Sequence, residues 1–89
     1  MSKVFLALQA VDETRAIIEA IKEDNENVEV EPQPAMMKIS AEKKMVINAQ
    51  TVSDKLGRDW DPQELQLVLI SLAGNVDEDY DHFTIYWDN

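Results

Sequence analysis

The 89 residues amount to about one domain on the usual length prior, and with 45% hydrophobic residues, two Gly and three Pro they describe a folded core, not a disordered chain. Without cysteine there is no disulfide, thiolate zinc site, sulfur-held iron cluster or Cys nucleophile. Eight Lys and Arg against eighteen Asp and Glu give a net charge of −10, which repels phosphate backbones and anionic headgroups and sets aside nucleic acid and membrane surface as partners.

Val4, Phe5, Leu6 and Leu8 form a short apolar run that predicts a first strand with both faces largely covered. Asp12 and Glu13 follow it too soon for a signal peptide, so a cytoplasmic location is expected. From Asp12, read as an N-cap, Ala16, Ile17, Ala20 and Ile21 recur at helical spacing while Arg15, Glu19, Lys22 and Glu23 face away. That predicts a helix of about three turns, ended by Asp24-Asn25-Glu26-Asn27.

Residues 28–31 alternate Val and Glu, the pattern of a short strand with one solvated face. Pro32 and Pro34 lack amide donors and restrict their predecessors, which predicts an irregular kink or a sheet edge. Residues 36–40 and 44–48 are expected to form a hairpin around Ala41-Glu42-Lys43. Val52 and Leu56 at i and i+4, followed by Gly57, predict a short second helix over 49–56.

Asp61-Pro62-Gln63-Glu64 is the clearest local signal: an N-cap Asp, a Pro at the first helical position and a Glu able to reach back to the cap amide. Residues 67–72 are apolar enough to be expected as a central strand buried on both faces, with Gly74 and Asn75 turning the chain out of it. Beyond an acidic loop over 77–81, Phe83, Ile85 and Trp87 alternate with Thr84 and Tyr86 as a final strand whose aromatic face points inward. The expected fold is α+β: one small domain over residues 1–89, an antiparallel sheet with two to three helices, approximately βαβββαββ.

Asp77, Asp79 and Asp81 match positions one, three and five of a calcium loop, but position six is His82 where Gly is needed and position twelve is Asp88 beyond Trp87. A solvated acidic loop is the simpler reading. His82, the lone histidine, could be oriented by Asp79 or Asp81, yet no nucleophile motif accompanies it. Two glycines make no phosphate-binding loop, and Ser53-Asp54-Lys55 has the wrong order for an acyl carrier. Of the adjacent Met36 and Met37, strand alternation sends one away from the core. Trp60 reads as a plug over the core sooner than as an interface anchor. These residues describe an acidic protein with no catalytic, metal or cofactor site, acting by binding another protein.

The chain resembles the effector, or coupling, proteins of bacterial multicomponent monooxygenases, most closely the phenol hydroxylase branch. Ser2-Lys3-Val4-Phe5-Leu6-Ala7-Leu8-Gln9, Gln33-Pro34-Ala35-Met36 and Leu56-Gly57-Arg58-Asp59-Trp60 carry the resemblance. So do Gln63-Glu64-Leu65-Gln66, the run from Leu69-Ile70-Ser71-Leu72-Ala73-Gly74-Asn75 through Val76-Asp77-Glu78-Asp79, and Asp81-His82-Phe83-Thr84. The resemblance implies a cofactor-free, non-enzymatic protein that binds the oxygenase (hydroxylase) component of phenol hydroxylase, above its non-haem diiron centre, and promotes hydroxylation of phenol and methylphenols. A reductase component works in the same system, and whether it shares the docking site stays open. The resemblance further implies hydroxylase contacts at Ser71, Leu72, Ala73, Gly74 and Asn75, with Gln33, Pro34, Met36 and Met37 as a second group. The competing readings are an acidic binding module for another protein and a nucleic-acid mimic.

Overall fold

The computed structural model describes residues 3–87. In chain order these form β1 (Lys3–Gln9), α1 (Asp12–Asp24), β2 (Glu29–Gln33), β3 (Met36–Glu42), β4 (Lys44–Asn48) and α2 (Ala49–Leu56). A 3-10 turn (Pro62–Glu64), α3 (Leu65–Val68), β5 (Leu69–Ala73), β6 (Asn75–Glu78) and β7 (His82–Tyr86) follow. The strands build two antiparallel sheets, one ordered β2-β3-β1-β5 and the other β4-β7-β6. The α+β class holds, with a second sheet added to it. No helix among the described residues is long and apolar enough to cross a membrane.

Alternation decides which faces are buried. On β1, Val4, Leu6 and Leu8 are fully buried, and their register partners Ala41, Ile39 and Met37 on β3 share that face. Ile17 and Ile21 of α1, Met45 and Ile47 of β4, Val52 of α2, Leu65 of α3, and Phe83 and Ile85 of β7 complete the core. Trp60, 4% exposed, is the plug its position suggested, and its backbone N–H donates to Ser53 Oγ at 2.8 Å.

The local caps are mixed in outcome. Asp61 and Glu64 form the expected box: the Gln63 amide donates to the Asp61 carboxylate at 2.8 Å and the Asp61 amide to Glu64 at 3.0 Å. Gly57 ends α2 in the left-handed conformation, φ +78°. Asp12, by contrast, lies inside α1, where its charge faces the N-terminal end of the helix dipole. Val11 takes the cap position, and the Thr14 hydroxyl donates to the Gln9 carbonyl.

Four further expectations are corrected. β3 and β4 are not a hairpin: β3 pairs with β1 and β2, while β4 pairs with β7. Only Lys43, φ +65°, separates them, too little for a hairpin loop, and it hands the chain from one sheet to the other. The true hairpin is β2–β3, closed by Pro34-Ala35 between the paired Gln33 and Met36. Pro34 cannot take positive φ, so Ala35 does, at +61°, as in a type II turn. The prolines thus mark an edge strand and its turn, and the ladder runs on through Pro32.

The apolar run over 67–72 is an edge, not a central strand. It splits into α3, which buries Leu65 and Val68, and β5, which turns Leu69 and Leu72 toward the core, leaving Leu67 74% and Ile70 48% exposed. Asp77 and Glu78 of the expected acidic loop belong to β6, an edge strand exposed throughout, whose sequence carries no apolar alternation to betray it. Trp87 lies beyond β7 and is 38% exposed. Its indole N–H donates to the Lys3 carbonyl at 2.8 Å and its backbone N–H to the Lys43 carbonyl at 3.0 Å, so it clasps the margins of both sheets and fills no core.

Candidate docking surface

The face of the four-stranded sheet opposite the core is made by the other half of each alternation. Because antiparallel partners share a face, the registers lay out three rows: Gln33, Met36 and Gln9; then Glu31, Lys38, Ala7 and Ser71; then Glu29, Ser40, Phe5 and Ala73. With strands about 4.8 Å apart, the rows cross roughly 14 Å from β2 to β5. Lys38 Nζ lies 4.5 Å from the centre of the Phe5 ring, a cation–π contact on an otherwise uncharged patch around Ala7. Toward the β2 edge the polarity rises, and the Lys3 ammonium donates to Glu29 at 2.6 Å. Each group favours the other's charged form, so the Glu29 carboxyl sits below and the Lys3 ammonium above its ordinary value.

The nine expected contact residues divide by this geometry. Ser71 and Ala73 of β5 share the outer face with Met36 of β3, one intervening strand away, and Gln33 of β2, two away. Leu72 and Met37 face inward against the core, opposite Leu6 and Leu8. Pro34 stands at the hairpin tip, while Gly74 and Asn75 mark the far corner where the chain passes from β5 into β6. Of the two methionines, Met36 is therefore the one that points away from the core.

Sequence reasoning missed Phe5, Gln9, Lys38 and Ser40, which fill the middle of the face around Ala7, itself buried by these neighbours. The signal was present: Val4, Leu6 and Leu8 leave Phe5, Ala7 and Gln9 on the other side at period two. Reading β1 as covered on both faces hid it. Leu67 and Ile70 were missed for the same reason, since a central strand offers no exposed side chain.

Two other features stand out. Between α1 and the β2–β3 hairpin runs an open groove of about 440 Å³, lined by Val11, Arg15, Ile18, Val30 and Met37. At the start of β7, Asp79, Asp81 and His82 place their oxygens and ring nitrogen within 4.8 Å of one another, with His82 Nδ1 2.8 Å from Asp81. The Asp79 amide also donates to the His82 carbonyl at 2.8 Å, so this cluster is the loop that closes the β6–β7 hairpin. Asp77 stands apart, on β6 opposite Thr84.

The chain is 46% identical over 88 residues to the stimulatory component DmpM of phenol 2-monooxygenase from Pseudomonas sp. strain CF600, covering 99% of this chain and 98% of that one. A chain in the structure of the phenol hydroxylase–regulatory protein complex superposes with a TM-score of 0.92 at 52% identity, over 98% of this chain and all of that one. The soluble methane monooxygenase regulatory protein B matches with a TM-score of 0.76 at 26% identity, over 97% of this chain and 65% of that one. Residues 2–86 match the MmoB/DmpM family, and the chain belongs to it.

Proposed function

We propose that this chain is the regulatory protein of a bacterial multicomponent phenol hydroxylase. It docks on the oxygenase component, which carries the non-haem diiron centre, and promotes hydroxylation of phenol and methylphenols with no catalytic group of its own. The observation that carries the reading is the 46% identity, nearly end to end, to a stimulatory component of phenol 2-monooxygenase. The likeness to a chain seen in a phenol hydroxylase–regulatory protein complex supports it.

The docking face is the outer side of the four-stranded sheet. Ser71, Ala73, Gln33 and Met36 make contact there together with Phe5, around the buried Ala7, while Leu72 and Met37 hold the strands in place from beneath. Pro34, Gly74 and Asn75 meet the oxygenase at the two corners. Such a ligand accelerates turnover only by binding one conformation of the oxygenase better than another. A coupling of about 1–3 kcal/mol shifts that equilibrium roughly 5- to 150-fold. The protein acts in the cytoplasm as one domain over residues 1–89, beside a reductase that draws on NADH.

The test is phenol turnover by purified oxygenase and reductase at fixed NADH, with this protein titrated from zero through excess over active sites. Coupled product formation rises and saturates near stoichiometric amounts. A folded sample that changes neither product nor NADH consumption overturns the reading.

A further inference from the structure

The two sheets end in four edges, β2 and β5 on one and β4 and β6 on the other, and three of these are guarded. β2 carries Pro32, which lacks an amide, directly after Glu31 and three residues after Glu29. β6 presents Asp77 and Glu78. β4 is capped by one side chain: the Asn25 amide accepts from the Val46 N–H at 2.9 Å and donates to the Val46 carbonyl at 2.8 Å, the pair of bonds a neighbouring strand would make.

β5 has no such guard. Its sequence, Leu69-Ile70-Ser71-Leu72-Ala73, lies inside residues 65–76, the longest uncharged stretch in a chain that is 29% charged. Its register against β1 shifts at Ala7/Leu8, which leaves Ile70, a large exposed apolar side chain, without a partner, and Leu67 of the preceding α3 is exposed as well. A bare edge of this kind is a template for an added strand.

We infer that the β5 edge receives an extended segment of the oxygenase component, backbone to backbone, as a fifth strand of the sheet. The inference rests on the reading of the chain as a regulatory protein. A strand added there continues the docking face, since its alternate side chains fall in line with Ser71 and Ala73. A second copy of this chain is the poorer occupant: at −10 each, two copies repel.

The experiment is amide hydrogen exchange on the protein alone and saturated with purified oxygenase, quenched and read residue by residue, alongside the turnover titration. In the free protein about half of the amides over 69–73 face solvent and exchange fast. In the complex these slow by about tenfold or more, while Val46 is unchanged. Ile70→Lys, placed at an already exposed position, keeps the unfolding midpoint and raises the protein concentration needed for half-maximal stimulation by about tenfold. Stimulation with unaltered exchange over 69–73 refutes strand addition and leaves the regulatory reading standing. Slow exchange in the free protein together with a dimeric sedimentation profile assigns the edge to a second copy and also refutes it. Absence of both binding and stimulation overturns the two together.

Discussion

Gly74 sets the joint between the two sheets, and its replacement by alanine has a consequence that follows from coordinates alone. Its φ is +137°, a region L side chains rarely enter, and a Cβ built there lies 2.6 Å from Ile85 Cγ2, 3.2 Å from Val4 Cγ1 and 3.4 Å from the Tyr86 carbonyl. Ile85 and Val4 are fully buried, so neither has room to retreat. The backbone contribution is about 1–3 kcal/mol. The overpacking adds about 1–3 kcal/mol more. A loss near the middle, about 3–4 kcal/mol, is a large part of the 5–15 kcal/mol typical of a domain. At roughly 4–8 °C per kcal/mol, a loss of about 3 kcal/mol lowers Tm by about 12–24 °C. Gly57→Ala is the control: φ is +78° but a Cβ there meets nothing within 4 Å, so only the left-handed backbone term of about 1–2 kcal/mol applies. Thermal and urea unfolding, followed by circular dichroism on both variants, measure the difference. Equal losses, or a Gly74→Ala loss below about 1 kcal/mol, would refute the steric account.

The adjacent methionines should separate stability from docking: Met37→Ala lowers the urea midpoint with a loss of about 1–2 kcal/mol, less than for a fully buried Met, while Met36→Ala leaves it within about 0.5 kcal/mol and weakens stimulation instead. Asn25→Ala removes both bonds to Val46 and strands its polar groups at the β4 edge, a loss of about 1–3 kcal/mol in the same assay, with a rise in self-association by sedimentation at high concentration. With −10 on so small a body, docking on the oxygenase should be steered by a positive surface there. Its affinity therefore falls as salt rises and the Debye length drops below about 8–10 Å, and a flat titration of affinity against NaCl would count against steering. For Lys3–Glu29, the lowered Glu29 pKa means that the pair's contribution is present above the ordinary 4.5 and fades as pH falls through the lowered value. The raised Lys3 pKa means that it is present below 10.5 and fades as pH rises through the raised value. A Tm–pH series comparing the parent with Glu29→Gln should show a small gap near neutrality that closes at the acid end.

Legibility followed the range of the interaction. The Asp61-Pro62-Gln63-Glu64 box and the Gly57 cap were readable because each is closed within four residues of chain, and the buried stripe of α1 because its period is local. Pairing was not. Residues 36–48 contain two good strands, but which sheet each joins depends on β1 and β7, which lie far off in sequence. The β6 strand was illegible because an edge exposed on both sides needs no hydrophobic period. The proposed face was half legible: naming Ser71 and Met36 as expected contacts required the family resemblance, and placing Phe5 and Ala7 between them required the register.

The register also explains how so few residues serve two purposes. Each strand of the four-stranded sheet spends one parity on the core and the other on the open face: Val4, Leu6 and Leu8 against Phe5, Ala7 and Gln9 on β1, Met37 and Ile39 against Met36 and Lys38 on β3. A change at one parity acts on stability, and a change at the other acts on what the face touches. β5 is where that division breaks down, because the register shift between Ala7 and Leu8 inserts Ile70 between the core-facing Leu69 and Leu72. A bulge there bends the edge and frees one residue from the ladder. Among the described residues of this sheet, strict alternation thus fails at the edge that carries Ile70, beside Ser71, at the border of the proposed docking face.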